Sequence, residues 1–325
     1  QEALTVNPFD QEGLIRAIER ALTMPEDEQR RRNAPMQQRL ARYTSQKWSC
    51  EFLDALADVK SRQEAQRARL LGPSTAQRLL DAFAAARRRA ILLDYDGTLM
   101  PFCDDPAQVR PDRALLDLLC RQGSCEDNAV VVVSGRDKDT LEKWLGDVPV
   151  GLVAEHGAWL CDPSRGAWRL QEPLPDGWKD GVRTVLTDFV DRTPGSFLEE
   201  KDCSLVWHYR ACSPEVAERR VIEIKGMLSD SLADRGLALM DGNKVVEVKP
   251  RGANKGRAAH RWFADPSYDF LLAAGDDRTD EDVFETAPEG AWTVHVGDGP
   301  TAARFALKSP YEMRELLEAL ARRSA

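Results

Sequence analysis

Five short β-rich runs, at 90–93, 129–133, 151–154, 270–274 and 292–296, are separated by stretches with helical spacing. Runs of that size have strand length and are too short for buried helices. Their alternation with helices predicts a parallel sheet covered by helices, an α/β fold. Ligands of such sheets gather at the carboxyl ends of the strands. Asp94-Tyr95-Asp96-Gly97-Thr98 follows the first run and Ser134-Gly135-Arg136 the second. Asn254-Lys255-Gly256 opens a helix ahead of the fourth run, and Gly275-Asp276-Asp277-Arg278-Thr279-Asp280 follows it. Four chemically loaded pieces, remote in sequence, are thereby expected at one end of one sheet.

Two carboxylates two residues apart, at a strand end before a glycine turn, are not a core pattern, because Asp is depleted in strands and costly to bury unpaired. Asp94 has the chemistry of a nucleophile that forms an aspartyl-phosphate. Asp96 can protonate a leaving oxygen and later deprotonate water. The Ser134 hydroxyl and the Gly135 amide suit phosphate oxygens. Lys255 at a helix start adds a point charge to a field that favours anions. The acid-rich piece at 276–282 would repel both the Asp94–Asp96 pair and an incoming phosphate. Two like charges 4 Å apart cost about 4 kcal/mol at an effective dielectric of 20. A hard divalent cation such as Mg²⁺ relieves this, with Asp276 as direct ligand. Asp280, one helical turn on, would hold a water bound to that ion.

The rest of the chain limits the alternatives. Among 325 residues the charge sum is −9, without the basic excess of a nucleic-acid binder. No apolar run approaches membrane-spanning length. Seven cysteines, odd in number and without CxxC pairs, favour reduced thiols and a cytoplasmic setting over a disulfide framework or a zinc site. Gln1 is followed by no secretory pattern, and the expectation is a piece of a longer protein. Asp10 is a helix cap, Leu14, Ile18 and Leu22 form an apolar stripe, and Arg30-Arg31-Arg32 among acids reads as a solvated face. Residues 61–71 read as polar and helical, a linker-like stretch. Between 159 and 248 paired strands and two helices replace the βα alternation, as an inserted α+β domain would.

The ordered set Asp94-x-Asp96-Gly-Thr, Ser134-Gly-Arg136, Lys255 and Gly275-Asp-Asp277 resembles the haloacid-dehalogenase superfamily of phosphotransferases. Glu155-His156-Gly157, Trp207-His208-Tyr209-Arg210, Val246-Glu247-Val248-Lys249-Pro250 and Asp276 through Asp282 narrow the resemblance to trehalose-6-phosphate phosphatases, over about residues 75–320. It implies a Rossmann-like core at 72–158 and 249–325, an inserted cap at 159–248, and Mg²⁺ on Asp94, the Asp96 backbone carbonyl and Asp276. It also implies hydrolysis of trehalose 6-phosphate in trehalose biosynthesis. Another sugar phosphate, such as a sucrose or glucosylglycerol phosphate, and a non-catalytic regulatory module are the alternatives.

Residues 1–71 are expected to be helical. Val6-Asn7-Pro8-Phe9-Asp10 and Ala21-Leu22-Thr23-Met24-Pro25 resemble the C-terminal end of trehalose-6-phosphate synthase, which makes a synthase domain an expected partner. Sugar recognition falls to the cap. Glu199 and Lys201, two residues apart, share a strand face. Glu247 sits near the return to the core. In the family a Glu-x-Lys pair and a Glu in this Val-Glu-Val context contact the distal glucose. His156 and Arg136 are expected to bridge from the core side.

Overall fold

The computed structural model describes residues 2–7, 10–102, 109–163, 166–174 and 177–323. The chain divides into two units, Gln1–Ala65 and Gln66–Ala325.

The first unit is helical: α1 (Gln11–Thr23), α2 (Glu26–Arg42) and most of α3 (Ser45–Arg69). The Asp10 carboxylate accepts from the Gly13 amide at 2.9 Å and caps α1. Pro8 and Phe9 lie outside the described residues. Arg30 pairs with Glu26 one turn back at 2.5 Å on a solvated face, whereas Arg32 and Glu28, 2.7 Å apart, are partly buried, a correction to the fully solvated run expected. Ile15, Ile18, Leu22, Trp48, Phe52 and Leu56 are all exposed.

In the second unit, past the end of α3, Leu70 bridges to Ala306. Residues 70 and 71 are therefore an edge of the sheet, a correction to the linker expected up to 71. Then come α4 (Pro73–Ala85), β1 (Arg89–Asp94), α5 (Arg113–Gly123), β2 (Asn128–Val133), α6 (Lys138–Leu145) and β3 (Gly151–Ala154). Strands β4 (Trp159–Cys161) and β5 (Trp168–Leu170) precede α7 (Trp178–Asp191), β6 (Phe197–Glu200), β7 (Leu205–His208), α8 (Pro214–Ala233), β8 (Leu237–Gly242) and β9 (Val245–Pro250). The chain closes with α9 (Lys255–Phe263), β10 (Phe270–Gly275), α10 (Arg278–Thr286), β11 (Trp292–Val296), β12 (Phe305–Leu307) and α11 (Pro310–Ala321).

An eight-stranded sheet runs in the order β12-β11-β10-β1-β2-β3-β4-β5. It is parallel except for β4 and β5, which add antiparallel to β3. Alternation divides its side chains. Ile91, Leu93, Val130, Val132 and Leu272 pack against α4, α5 and α11, while Leu92, Val131, Val133 and Ala273 meet α9 and α10. Strand order reverses between β1 and β10, which opens a crevice at their carboxyl ends.

The change expected at 159 comes too early, because β4 and β5 belong to this sheet. A short edge hairpin needs no crossover helix and so resembles inserted α+β material. The inserted cap is a separate four-stranded sheet, β6-β7-β9-β8. One face, through Leu205, Trp207, Val246 and Val248, packs on Trp178, Leu186 and Phe189 of α7 and Ile224 and Leu228 of α8. By the same alternation the opposite face presents Glu199, Val206, His208, Val245 and Glu247 to a cleft over the core.

Candidate active site

Asp94 ends β1 level with Val133 of β2, and Leu93 pairs with Ala274 of β10, so the three loaded strand ends lie side by side. Gly97 turns the chain at φ +84°, and a Cβ there would strike the Asp276 carboxylate. The Thr98 hydroxyl donates to Asp276 at 3.4 Å and ties the turn to β10.

Lys255 is buried at the start of α9, and its Nζ donates to Asp94 Oδ1 at 2.7 Å and to Asp280 Oδ1 at 2.9 Å. Burial opposes its charge, but Asp280 and Asp94 outweigh that and hold it well above the ordinary lysine range. Among the described residues no donor reaches Asp94 Oδ2. Asp277 caps α10 through the Thr279 and Asp280 amides, while Asp280 Oδ2 accepts from the Asp276 and Asp277 amides at 3.2 Å each. The acid-rich piece is thus both a helix cap and part of the site.

Oxygens of Asp94, Asp276 and Asp280 lie within 4.8 Å of one another. Burial, reinforced by neighbouring carboxylates, lifts all three: Asp276 to about 7, Asp94 and Asp280 well above the ordinary carboxylate range. An all-oxygen donor set with more negative charge than one lysine balances fits a small hard cation. Asp96 stands apart from that cluster by its side chain. Its carboxylate takes two bonds from Arg136, at 2.6 and 2.8 Å, and the guanidinium lies over the Trp144 ring at 4.6 Å. Ser134 is buried directly beyond β2, and its hydroxyl accepts from the Arg136 amide at 3.1 Å.

Above this floor lies a cleft of about 480 Å³ between core and cap. Asp96, Arg136, His156 and Asp277 line it from the core, and Glu199, Lys201 and Glu247 from the cap. The expected sugar-binding residues therefore share one space with the expected acid–base. His156 Nε2 lies 3.2 Å from Glu247 Oε2. Burial pushes this imidazole down to about 4, so it is neutral near pH 7. Glu247 stays ionised, below the ordinary carboxylate range: burial opposes the charge, but the His156 ring and Lys201 outweigh it. Lys201 also donates to the Gly135 carbonyl at 2.9 Å.

Two residues belong to motifs quoted for the resemblance but carry no assigned role there. His208 Nε2 sits 2.7 Å from Glu199 Oε2, with its ring stacked 4.3 Å from Phe197. Glu155, before His156, is buried, and its Oε2 accepts from the Cys203 amide at 2.7 Å. Both Glu155 (φ +46°) and His156 (φ +57°) are left-handed, which costs roughly 1–2 kcal/mol each.

Burial raises Glu155 from the ordinary 4.5 to about 7, although the Cys203 amide and Lys201 pull the other way. A carboxyl raised by folding contributes its stability in full below the unfolded value and loses it as pH rises through the folded one. Glu155→Gln removes this loss. Its melting temperature relative to wild type should therefore be higher at pH 8 than at pH 5. Thermal melts with equal offsets at the two pH values would contradict a raised Glu155.

The trehalose-phosphatase family model matches residues 92–323, and that of glycosyltransferase family 20 matches residues 1–58. The chain is 44% identical to a bifunctional trehalose-6-phosphate synthase/phosphatase of Thermoproteus tenax, over 98% of this chain and 44% of that protein. It spans less than half the length of the curated relatives it matches. The structure of a C. albicans trehalose-6-phosphate phosphatase C-terminal domain superposes with a TM-score of 0.70 at 32% identity, covering 76% of this chain and 96% of that one. A haloacid dehalogenase-like hydrolase from Bacteroides thetaiotaomicron shares the fold alone, at 15% identity and a TM-score of 0.53, over 71% of this chain and 97% of that one. Among the described residues no helix is long and apolar enough to cross a membrane.

Proposed function

The chain belongs to the trehalose-phosphatase family, and on that premise we propose that it hydrolyses trehalose 6-phosphate to trehalose and phosphate. One observation carries the reading: the cap closes, with Glu199 and Glu247 on its sheet face and Lys201 in the loop just past β6 rather than on the strand face expected, the same cleft whose floor holds Asp96 and Arg136. A neutral, hydroxyl-rich sugar needs side chains that accept and donate at fixed positions, and a phosphate needs cations and amides.

Asp94 Oδ2, free of donors among the described residues, attacks phosphorus. The bond from phosphorus to the sugar oxygen breaks, an aspartyl-phosphate forms, and Asp96 gives that oxygen its proton. Water then attacks phosphorus, Asp96 takes its proton, and the bond to Asp94 breaks to release phosphate. Arg136 serves both steps. It orients Asp96 in the free site, and an entering phosphate competes for the guanidinium and leaves Asp96 to the leaving oxygen. Lys255 and Ser134 hold phosphate charge from either side. Asp94, Asp276 and the Asp96 carbonyl would hold Mg²⁺, with Asp280 behind them. When bound, the ion neutralises charge shared between the nucleophile and the phosphate.

The core comprises residues 70–170 and 251–325, and the cap 178–250. The glycosyltransferase-like stretch at 1–58 supports association with a trehalose-6-phosphate synthase domain, in the cytoplasm, where thiols stay reduced.

Phosphate release from a panel of sugar phosphates tests the reading. Glu199→Ala, Lys201→Ala and Glu247→Ala each remove hydrogen bonds to a charged group, worth roughly 1.5–3 kcal/mol apiece. Each should lower kcat/KM for trehalose 6-phosphate by about tenfold to a hundredfold. A small aryl phosphate, too short to reach the cap, should lose far less. Equal losses on both substrates would assign these residues to the fold or the core chemistry. Preference for another sugar phosphate would remove trehalose from the proposal.

A further inference from the structure

We propose that Glu155 is a positioning residue for substrate recognition, the pin on which the β6–β7 loop of the cap is registered against the core. The proposal rests on the sugar-phosphate reading above and adds a residue that touches neither phosphate nor sugar.

The loop joins the strand that carries Glu199 to the strand that carries His208, and Lys201 lies within it. Two residues after Lys201, the Cys203 amide donates to Glu155 Oε2 at 2.7 Å. Both residues are buried, at 2% and 1% exposure, so the bond is shielded from water. A second charged tie from this loop to the core, Lys138 with Asp202, is partly exposed and correspondingly weak. Lys201 reaches the Gly135 carbonyl from the same loop. A loose Cys203 would therefore move Lys201 away from Gly135 and draw Glu199 along its strand.

The core side is built to hold this bond. Two consecutive left-handed residues are rare, and they persist only when their surroundings over-determine them. Here the strained turn aims Glu155 at the cap loop and His156 at Glu247 of the cap. The single turn Glu155–Gly157 thus meets the cap at two places, and its Gly157 approaches the Asn254 carbonyl too closely for any side chain.

Packing offers a competing account. Cys203 also sits in a small apolar cluster with Ala158 and Ala253, which could hold the loop without Glu155. Isosteric variants separate the two. Glu155→Met fills the same space and accepts no hydrogen bond, whereas Glu155→Gln keeps an acceptor oxygen. The pin requires faster deuterium exchange at the Cys203 amide in Glu155→Met, by about tenfold or more, and near wild-type protection in Glu155→Gln. It also requires that Glu155→Met lose about tenfold in kcat/KM for trehalose 6-phosphate, mainly through KM, with aryl phosphate hydrolysis kept within about twofold. Glu155→Gln should behave as wild type on both substrates. Unchanged exchange in Glu155→Met assigns the loop to packing and overturns the pin. Faster exchange with unchanged sugar-phosphate kinetics overturns the positioning role. Should the wild-type enzyme not turn over trehalose 6-phosphate, the functional reading falls, and the exchange measurement still decides whether Glu155 holds the loop.

Discussion

Asp94→Asn lowers turnover by at least about a thousandfold, on sugar and aryl phosphates alike. The amide is nearly isosteric, and its oxygen still accepts from Lys255, so folding survives. It is a poor nucleophile and carries no charge for a cation. In metal-free protein the melting temperature should not fall. Burial and the Asp276 and Asp277 carboxylates raise Asp94, so its ionised form opposes folding at neutral pH, and Lys255 offsets this in part. A loss of both activity and stability would mark Asp94 as structural. Retention of a tenth of wild-type turnover would rule out the covalent route. Asp96→Asn should also lose turnover yet still bind substrate, because it leaves the nucleophile and Lys255 in place.

The chemistry was legible where strand and site coincide. β1, β2 and β10 are buried on both faces and read as unbroken apolar runs, so acids directly after them stand out. Asp94 and Asp276 converge as expected because neighbouring parallel strands bring their carboxyl ends level, and Lys255 reaches Asp94 from the start of α9. The cap was legible through period two: Trp207 faces the helices, and Glu199 and Glu247 face the cleft. The same rule applied one step past Trp207 would have placed His208 on the cleft face with Glu199. Glu155 stands in a motif quoted for the resemblance, but no periodicity points to its partner. Its partner is a backbone amide 48 residues away, and every residue except proline carries that donor. β12 spans only Phe305–Leu307, too short for periodicity to register. β4 and β5 were assigned to the insertion because an antiparallel hairpin at a sheet edge has the grammar of a separate domain. The exposed stripe of α1 shows another limit, since amphipathic spacing identifies the helix and its apolar face without identifying what covers that face.

Chelation silences the enzyme, with turnover falling by at least about a thousandfold, and Mg²⁺ restores it. The reason lies in the charge of the site. Asp94, Asp276 and Asp280 crowd their oxygens within 4.8 Å, and Lys255 neutralises only part of that charge. A phosphate ester brings further negative charge to the same place. At about 4 kcal/mol for each like pair at 4 Å, the protein alone holds an anionic nucleophile and an anionic substrate together poorly. A cation that prefers carboxylate oxygens, water and phosphate offsets this. Ca²⁺ should inhibit, because its longer and looser coordination displaces the attacking carboxylate by enough to spoil its alignment. Binding has a second readout. An ion at a hundred times its Kd stabilises the fold by about 2.7 kcal/mol, a rise in melting temperature of about 5 °C for a unit of this size. Asp276→Asn should lose most of that rise together with turnover. Full turnover in excess chelator would remove the ion from the mechanism. An unchanged Mg²⁺ response in Asp276→Asn would move the ion to other ligands.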